Sequence, residues 1–272
     1  MDLPVVVGTD GSRASLEAVD WAADAAVRRG LSLRIVHAPP PSRDTRPGRS
    51  SARAEEICAG AADRAALRSS RLKVEAEPLW GEPALALLEA SHGASLVVVG
   101  HRGLRGGASS PLLGSVATGV VAHAHCPAVV VRGRPDNIAG RKHRITLGFG
   151  RRHPEGTAAA EFAFAEAALR RCEAEAVFAW SGADGGRDDE RLRRERTVDA
   201  ALRAAVRIHP GVPLLSHPVA GPTHTALLRA SADADLLVLS ARPHGSPGPR
   251  LGTANGTVLQ HAYCPVAVVP RW

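Results

Sequence analysis

A chain of 272 residues with 44% apolar and 22% charged residues is built to bury a core, and its length fits one large α/β domain or two of about 135 residues. The formal charge of +7 points toward nucleic acid, but the positive residues are scattered and nearly all Arg, Lys73 and Lys142 being the only lysines. No basic helix, zinc-finger spacing or aromatic stacking platform accompanies them, so nucleic-acid binding is not the expected function.

In chain order, the first half alternates strand and helix. Strands are expected at Leu3 to Gly8, Ser32 to His37, Val74 to Leu79, Ser95 to Gly100 and Ala128 to Val131. Helices are expected at Ser15 to Arg28, Ala52 to Ser69, Pro83 to Ser91 and Ser115 to Ala124, with a polar, Pro-rich loop at Pro39 to Ser51. Strands apolar on both faces and alternating with helices mean a parallel sheet covered on both sides, a doubly wound α/β sandwich.

The pattern then repeats. Leu87-Leu88-Glu89-Ala90-Ser91 and Leu96-Val97-Val98-Val99-Gly100 return 140 residues later as Leu227-Leu228-Arg229-Ala230-Ser231 and Leu236-Leu237-Val238-Leu239-Ser240. The same offset carries Val5-Val6-Val7-Gly8 onto Ile145-Thr146-Leu147-Gly148. Gly114-Ser115 and Cys126-Pro127 return after 138 residues as Gly252-Thr253 and Cys264-Pro265, so two residues are deleted between those blocks. Gly133, Pro135, Asp136, Asn137 and Gly140 cluster between two apolar runs and mark a linker over 133–144. The expected organisation is two tandem five-stranded parallel-sheet sandwiches, residues 1–132 and 145–272. In the second, Ala174 to Trp180, Leu214 to Val219 and Val266 to Val269 take the remaining strand positions, with a charged helix over Asp188 to Ile208.

Asp2, Asp10 and Arg13 interrupt any secretory leader pattern. The longest uncharged stretch, Gly106 to Ala122, is rich in Gly, Ser, Thr and Pro, a poor membrane span, so a soluble cytoplasmic protein is expected. Four cysteines without CxxC spacing (Cys58, Cys126, Cys172, Cys264) read as reduced core thiols.

Ligands of open parallel sheets bind beyond the carboxyl ends of the strands. There the first half carries Gly8-Thr9-Asp10-Gly11-Ser12 after strand one. After strand four comes a glycine-rich loop from Gly100-His101-Arg102-Gly103 to Gly114-Ser115 at a helix start. Glycines admit a ligand close to the backbone, and the unpaired N–H groups of a helix start suit a phosphate. The bland readings are tight turns for the glycines, an N-cap for Ser115 and an ordinary exposed loop residue for Arg102.

Val5-Val6-Val7-Gly8-Thr9-Asp10-Gly11-Ser12, Val97-Val98-Val99-Gly100-x-x-Gly103 with Gly114-Ser115-Val116, and Cys126-Pro127 before Ala128 to Val131 together resemble the universal stress protein A family. The resemblance spans residues 1–132 and, more weakly, 141–270. It implies the adenine nucleotide alpha hydrolase-like fold in tandem and a stress-response protein that binds ATP, with Mg²⁺ a candidate companion and hydrolysis slow or absent. It also implies site roles: Gly100, Gly103, Gly114, Ser115 and Val116 around the phosphates, with Thr9 and Asp10 facing the nucleotide. Backbone near Val36 to Ala38 would lie at the adenine edge. Arg102 could neutralise phosphate charge, and Asp10 would meet a ribose hydroxyl or Mg²⁺ rather than a phosphate. Pairing of the last strands, Ala128 to Val131 with Val266 to Val269, would make a pseudo-dimer of the halves, and a homodimer could form beyond it.

The sequence departs from the family pattern in two ways. Ten residues separate Gly103 from Gly114 where the ATP-binding pattern has nine. In the second half Asp10 becomes Gly150, Gly100 becomes Ser240 and Gly103 becomes Pro243, which lacks an N–H, so this half is expected to hold nucleotide weakly at most. Two alternatives stand beside the ATP reading: an interaction protein independent of nucleotide, marked by a collapsed loop at Arg105 to Ser110, and an enzyme on an adenine nucleotide with His101 as its candidate group. No Gly-Lys-Ser/Thr loop, complete dinucleotide fingerprint, Gly-x-Ser-x-Gly elbow or His-Glu-x-x-His is present. His123-Ala-His125-Cys126 has metal-ligand residue types but no second cluster.

Overall fold

Short apolar runs such as residues 5–7, 96–99 and 128–131, all buried, form the central strands of the computed structural model, which describes residues 2–39, 49–104, 113–150, 157–180, 187–241 and 251–270. The chain divides into two units, Met1–Val131 and Arg132–Trp272. Unit 1 runs β1 (Val5–Gly8), α1 (Arg13–Arg29), β2 (Leu33–His37), α2 (Arg49–Ala66), β3 (Val74–Pro78), α3 (Pro83–Ser91), β4 (Leu96–Gly100), α4 (Ser115–His123) and β5 (Ala128–Val131). Its strands lie in the order β3-β2-β1-β4-β5, with parallel pairings. That order reverses direction between β1 and β4, the switch point at which a parallel sheet opens a crevice beyond its strand ends.

Local chemistry explains the elements. Ser12 is the N-cap of α1 and accepts from Ser15 N, while Gly30 closes the helix in the left-handed conformation (φ 68°) with its N–H on Ala26 and Val27 carbonyls. The Ala-rich face of α1 (Ala18, Val19, Ala22, Ala26) is fully buried and packs on β1 and β4, while α2 packs on β2 and β3. Small residues let the helix approach the sheet closely. α3 and α4 pack on each other, and Gly119 lies where an added Cβ would stand 3.2 Å from Ala84 Cβ.

Unit 2 repeats this with a preface. α5 (Pro135–Ile138) precedes β6 (Arg144–Phe149), α6 (Thr157–Arg170), β7 (Glu173–Trp180), α7 (Arg187–Ile208), β8 (Leu214–Ala220), α8 (Thr223–Ser231), β9 (Leu236–Ser240), α9 (Thr253–His261) and β10 (Val266–Val269). The strand order β8-β7-β6-β9-β10 matches that of unit 1. The segment marked as a linker by its Gly and Pro content is therefore structured. Asn137, fully buried, donates its Nδ2 to the carbonyls of Ser231 (3.3 Å), Ala232 (2.9 Å) and Ala234 (2.8 Å), satisfying carbonyls at the end of α8 that the helix cannot. Asp235 accepts Lys142 N at 2.7 Å and fastens the same segment again.

All four cysteines are free and buried. Burial pushes the thiol of Cys126 up to about 12 and that of Cys172 up to about 11, and raises Cys58 and Cys264 as well, which fits core thiols rather than reactive ones. Among the described residues no helix is long and apolar enough to cross a membrane, and no cluster of three His, Cys, Asp or Glu could hold a metal.

Candidate functional site at the strand ends of unit 1

The crevice of unit 1 is bounded by the turn after β1 and the loop after β4. The first of these is held by a chain of hydrogen bonds. Ser15 Oγ donates to Ser12 O (2.9 Å), so it can only accept from Thr9 Oγ1 (3.1 Å) and from Asp10 N (3.2 Å). Thr9 Oγ1 accepts Gly11 N at 3.2 Å, and Gly11 itself takes φ 77°, a left-handed turn open to glycine. Beneath the turn, buried His37 donates Nδ1–H to Thr9 O at 2.7 Å.

Asp10 then crosses to the other loop. Its Oδ1 accepts Ser12 N (3.0 Å) and its Oδ2 accepts Leu104 N (2.7 Å). Burial alone would raise this carboxyl, but the hydrogen bonds from Ser12, Leu104 and Ser15 outweigh it and hold the group below its ordinary value. A side chain at position 103 would collide with that contact, since a Cβ on Gly103 would stand 2.3 Å from Asp10 Oδ2.

The glycines of the loop have different reasons to be there. A Cβ on Gly100 would lie 2.6 Å from Ala14 O and 2.9 Å from Ser15 N, so this glycine lets the end of β4 pass the first turn of α1. Gly114 meets nothing closer than His101 O at 3.6 Å, and its N–H donates to that carbonyl at 2.9 Å. Gly114 is also the N-cap of α4, which puts Ser115 at the first helical position, exposed, instead of at the capping position. The first intrahelical bond at this end is Thr118 N to Gly114 O, so Ser115, Val116 and Ala117 bring N–H groups with no acceptor within the helix.

The remaining expected residues fall at the same edge. Thr9 N donates to Val36 O at 2.9 Å and Leu79 N to His37 O at 2.9 Å, so those carbonyls are engaged in the sheet and the half-exposed Ala38 follows them. Arg102 lies half-exposed on the loop. His101 donates its backbone N–H to Val131 O at 3.2 Å and sets its Nδ1 3.3 Å from the same oxygen, which turns that side of the ring toward β5. The collapsed-loop question at Arg105 to Ser110, and the position of Pro243, lie outside the described residues.

In unit 2 the same strand ends carry different residues and contacts. The positions of Thr9 and His37 are taken by Phe149 and Phe178, paired in register and both buried. Asn255, in the first turn of α9, donates Nδ2 to Ser240 O at 3.1 Å. Arg194 of α7 donates to Gly150 O (3.3 Å) and Ala179 O (3.1 Å), lying across the ends of β6 and β7. Where unit 1 has Thr9, Asp10 and His37, unit 2 thus has Phe149, Gly150 and Phe178.

His37, Ser15, Leu104, Asn255 and Arg194 are not singled out by motif. For the first the repeat gave no signal, since its 140-residue offset sets His37 against Val177 and only strand register matches it to Phe178.

Comparison with known proteins agrees with this architecture. The profile of the universal stress protein family matches residues 3–132 and again 143–270. Universal stress protein Rv2624c of Mycobacterium tuberculosis (strain ATCC 25618 / H37Rv) is 31% identical over 277 residues, covering 98% of this chain and 96% of its own. Universal stress protein Rv2005c of the same strain is 31% identical over 283 residues, covering 97% and 96%. The crystal structure of a universal stress protein from Archaeoglobus fulgidus DSM 4304 superposes with a TM-score of 0.78 over 99% of this chain and 98% of its own, at 20% identity, which speaks to the fold. With the family profile matched twice along its length, the chain belongs to the universal stress protein family in its tandem, two-domain form.

Proposed function

We propose that this protein is an ATP-binding, stress-response module of the cytoplasm that holds its nucleotide in unit 1 and acts by binding and signalling rather than as a dedicated enzyme. The carrying observation is the start of α4. Gly114 folds its own N–H back onto His101 O, and the next N–H groups, those of Ser115 and Val116, are left without helical acceptors beside the side-chain-free Gly103. Phosphates fit there, with Arg102 supplying positive charge. Thr9 and Asp10 would face the ribose, and the end of β2 near Val36 to Ala38 would lie along the adenine. Mg²⁺ would enter with the phosphates.

Unit 2 supports the asymmetry: Asn255 and Arg194 occupy its strand ends and Phe149 and Phe178 replace the polar pair. By the same family likeness we propose that Ala128 to Val131 and Val266 to Val269 join the halves as a pseudo-dimer, with a homodimer of whole chains in solution, which sedimentation equilibrium would test.

A nucleotide-independent interaction protein is the second reading, favoured by the contact in which Asp10 already satisfies Leu104 N. Thermal unfolding decides between them. At ATP a hundredfold above its dissociation constant, binding to the native state adds about 2.7 kcal/mol, a clear rise in Tm. An unmoved Tm at millimolar ATP favours the second reading.

A further inference from the structure

We infer that His37 is a positioning residue for the glycine-rich loop, acting through Thr9 and Asp10. Its consequence for nucleotide affinity rests on the ATP reading above; its consequence for the loop does not.

His37 is the last residue of β2, buried, with Nδ1 2.7 Å from Thr9 O. A carbonyl only accepts, so Nδ1 carries the proton and the ring donates. The carbonyl it fixes belongs to the residue immediately before Asp10. From that point the bonds converge on Ser15: Thr9 Oγ1 and Asp10 N both donate to Ser15 Oγ, and Asp10 Oδ2 reaches across the crevice to accept Leu104 N at 2.7 Å. His37, Thr9 and Ser15 are buried and hydrogen-bonded, the situation in which a network specifies one geometry, and the relay ends at the surface in the exposed Asp10–Leu104 bond. The short contact between Asp10 Oδ2 and the place a Gly103 Cβ would occupy shows how closely that geometry is set.

Unit 2 provides the internal control. It has the same fold and the same register at this point, and it seats Phe149 and Phe178 where unit 1 has Thr9 and His37. A phenyl ring is therefore accepted by this sheet position, and the fold alone does not demand an imidazole. In unit 2 the residue matching Asp10 is Gly150, whose carbonyl is bound by Arg194, so there is no carboxylate for a relay to aim. The imidazole occurs in the unit that has an Asp to position.

The test uses the full chain with His37→Phe, which copies unit 2, and His37→Asn, which keeps an N–H donor near the Nδ1 position. Amide hydrogen exchange by NMR is read at Leu104 and Ser12, and ATP is titrated in parallel. His37→Phe should speed exchange at Leu104 about tenfold, the loss expected for one hydrogen bond, and weaken ATP binding by about the same factor, while His37→Asn restores both to within about threefold. Should the Phe variant not fold, His37→Leu removes the same ring N–H and carries the same expectation. Unchanged Leu104 protection in His37→Phe, or loss in His37→Asn equal to that in His37→Phe, overturns the inference. Altered Leu104 exchange in a protein that binds no ATP even unmodified supports the positioning role and removes the nucleotide reading instead.

Discussion

The carboxylate of Asp10 and the backbone N–H of Leu104 meet at 2.7 Å, and this one bond joins the turn after β1 to the loop after β4. Because the carboxylate form is the one held by Ser12 N and Leu104 N, Asp10 titrates below its ordinary value in the folded protein. Its stabilising contribution is then complete above the unfolded-state pKa of about 4 and is lost as pH falls through the lower, folded value. Asp10→Asn must turn an NH₂ toward one of two N–H donors. It should cost roughly 1 kcal/mol at pH 7, allowing for screening of a part-exposed group, and the gap to the unmodified protein should close below about pH 4. Chemical denaturation across pH 3 to 7 measures this; a gap that widens in acid contradicts the assignment.

Gly100, Gly103 and Gly114 should separate in a stability assay. At Gly100 an added methyl meets the backbone of Ala14 and Ser15 inside 3 Å, so Gly100→Ala should cost about 1–3 kcal/mol. At Gly103 it meets only the side-chain carboxylate of Asp10 and no backbone, so Gly103→Ala should cost about 1 kcal/mol or less while breaking the contact with Leu104. Gly114 has φ −63° and ψ 152° and ordinary neighbours at 3.6 Å, so Gly114→Ala should stay within about 0.5 kcal/mol of the parent. Equal losses at all three would refute the distinction.

Asn137 offers a test in unit 2. Its Nδ2 serves three buried carbonyls, so Asn137→Ala should cost about 2–3 kcal/mol, and Asn137→Asp, though nearly isosteric, should cost more because it turns an anion toward acceptors. Amide protection should fall around α8 and the start of β9 while residues of unit 1 keep theirs. An Asn137→Ala variant as stable as the parent would mean that the amide donor contributes nothing.

The architecture was legible because its signals are periodic and repeated. The apolar runs of β1, β4 and β5 and the 140-residue offset carried strand positions and the tandem arrangement without any tertiary information. Element ends drifted by a few residues, as for α2, expected at Ala52 to Ser69 and found at Arg49–Ala66, since helix ends are set by capping and packing. Gly133, Pro135 and Gly140 punctuate the chain between the two copies, while Asn137 acquires its role only from carbonyls 94 to 97 residues away. The same applies at the crevice. Thr9, Asp10 and the glycines carry a local motif, whereas the partners that give them geometry, His37 and Leu104 in unit 1, come from distant parts of the sequence. Ser115 shows the converse: its residue type suggests a cap, and the helix begins one residue earlier.

The most direct test is isothermal titration of ATP into the full chain beside Gly114→Glu, a substitution whose backbone angles the site accepts and whose charge would lie at the helix start. One site per chain, abolished in the variant while its unfolding midpoint stays near that of the parent, is the expected result. Two equivalent sites, or a single site indifferent to Gly114→Glu, would contradict a nucleotide seat confined to unit 1, and no heat at all would leave the interaction protein.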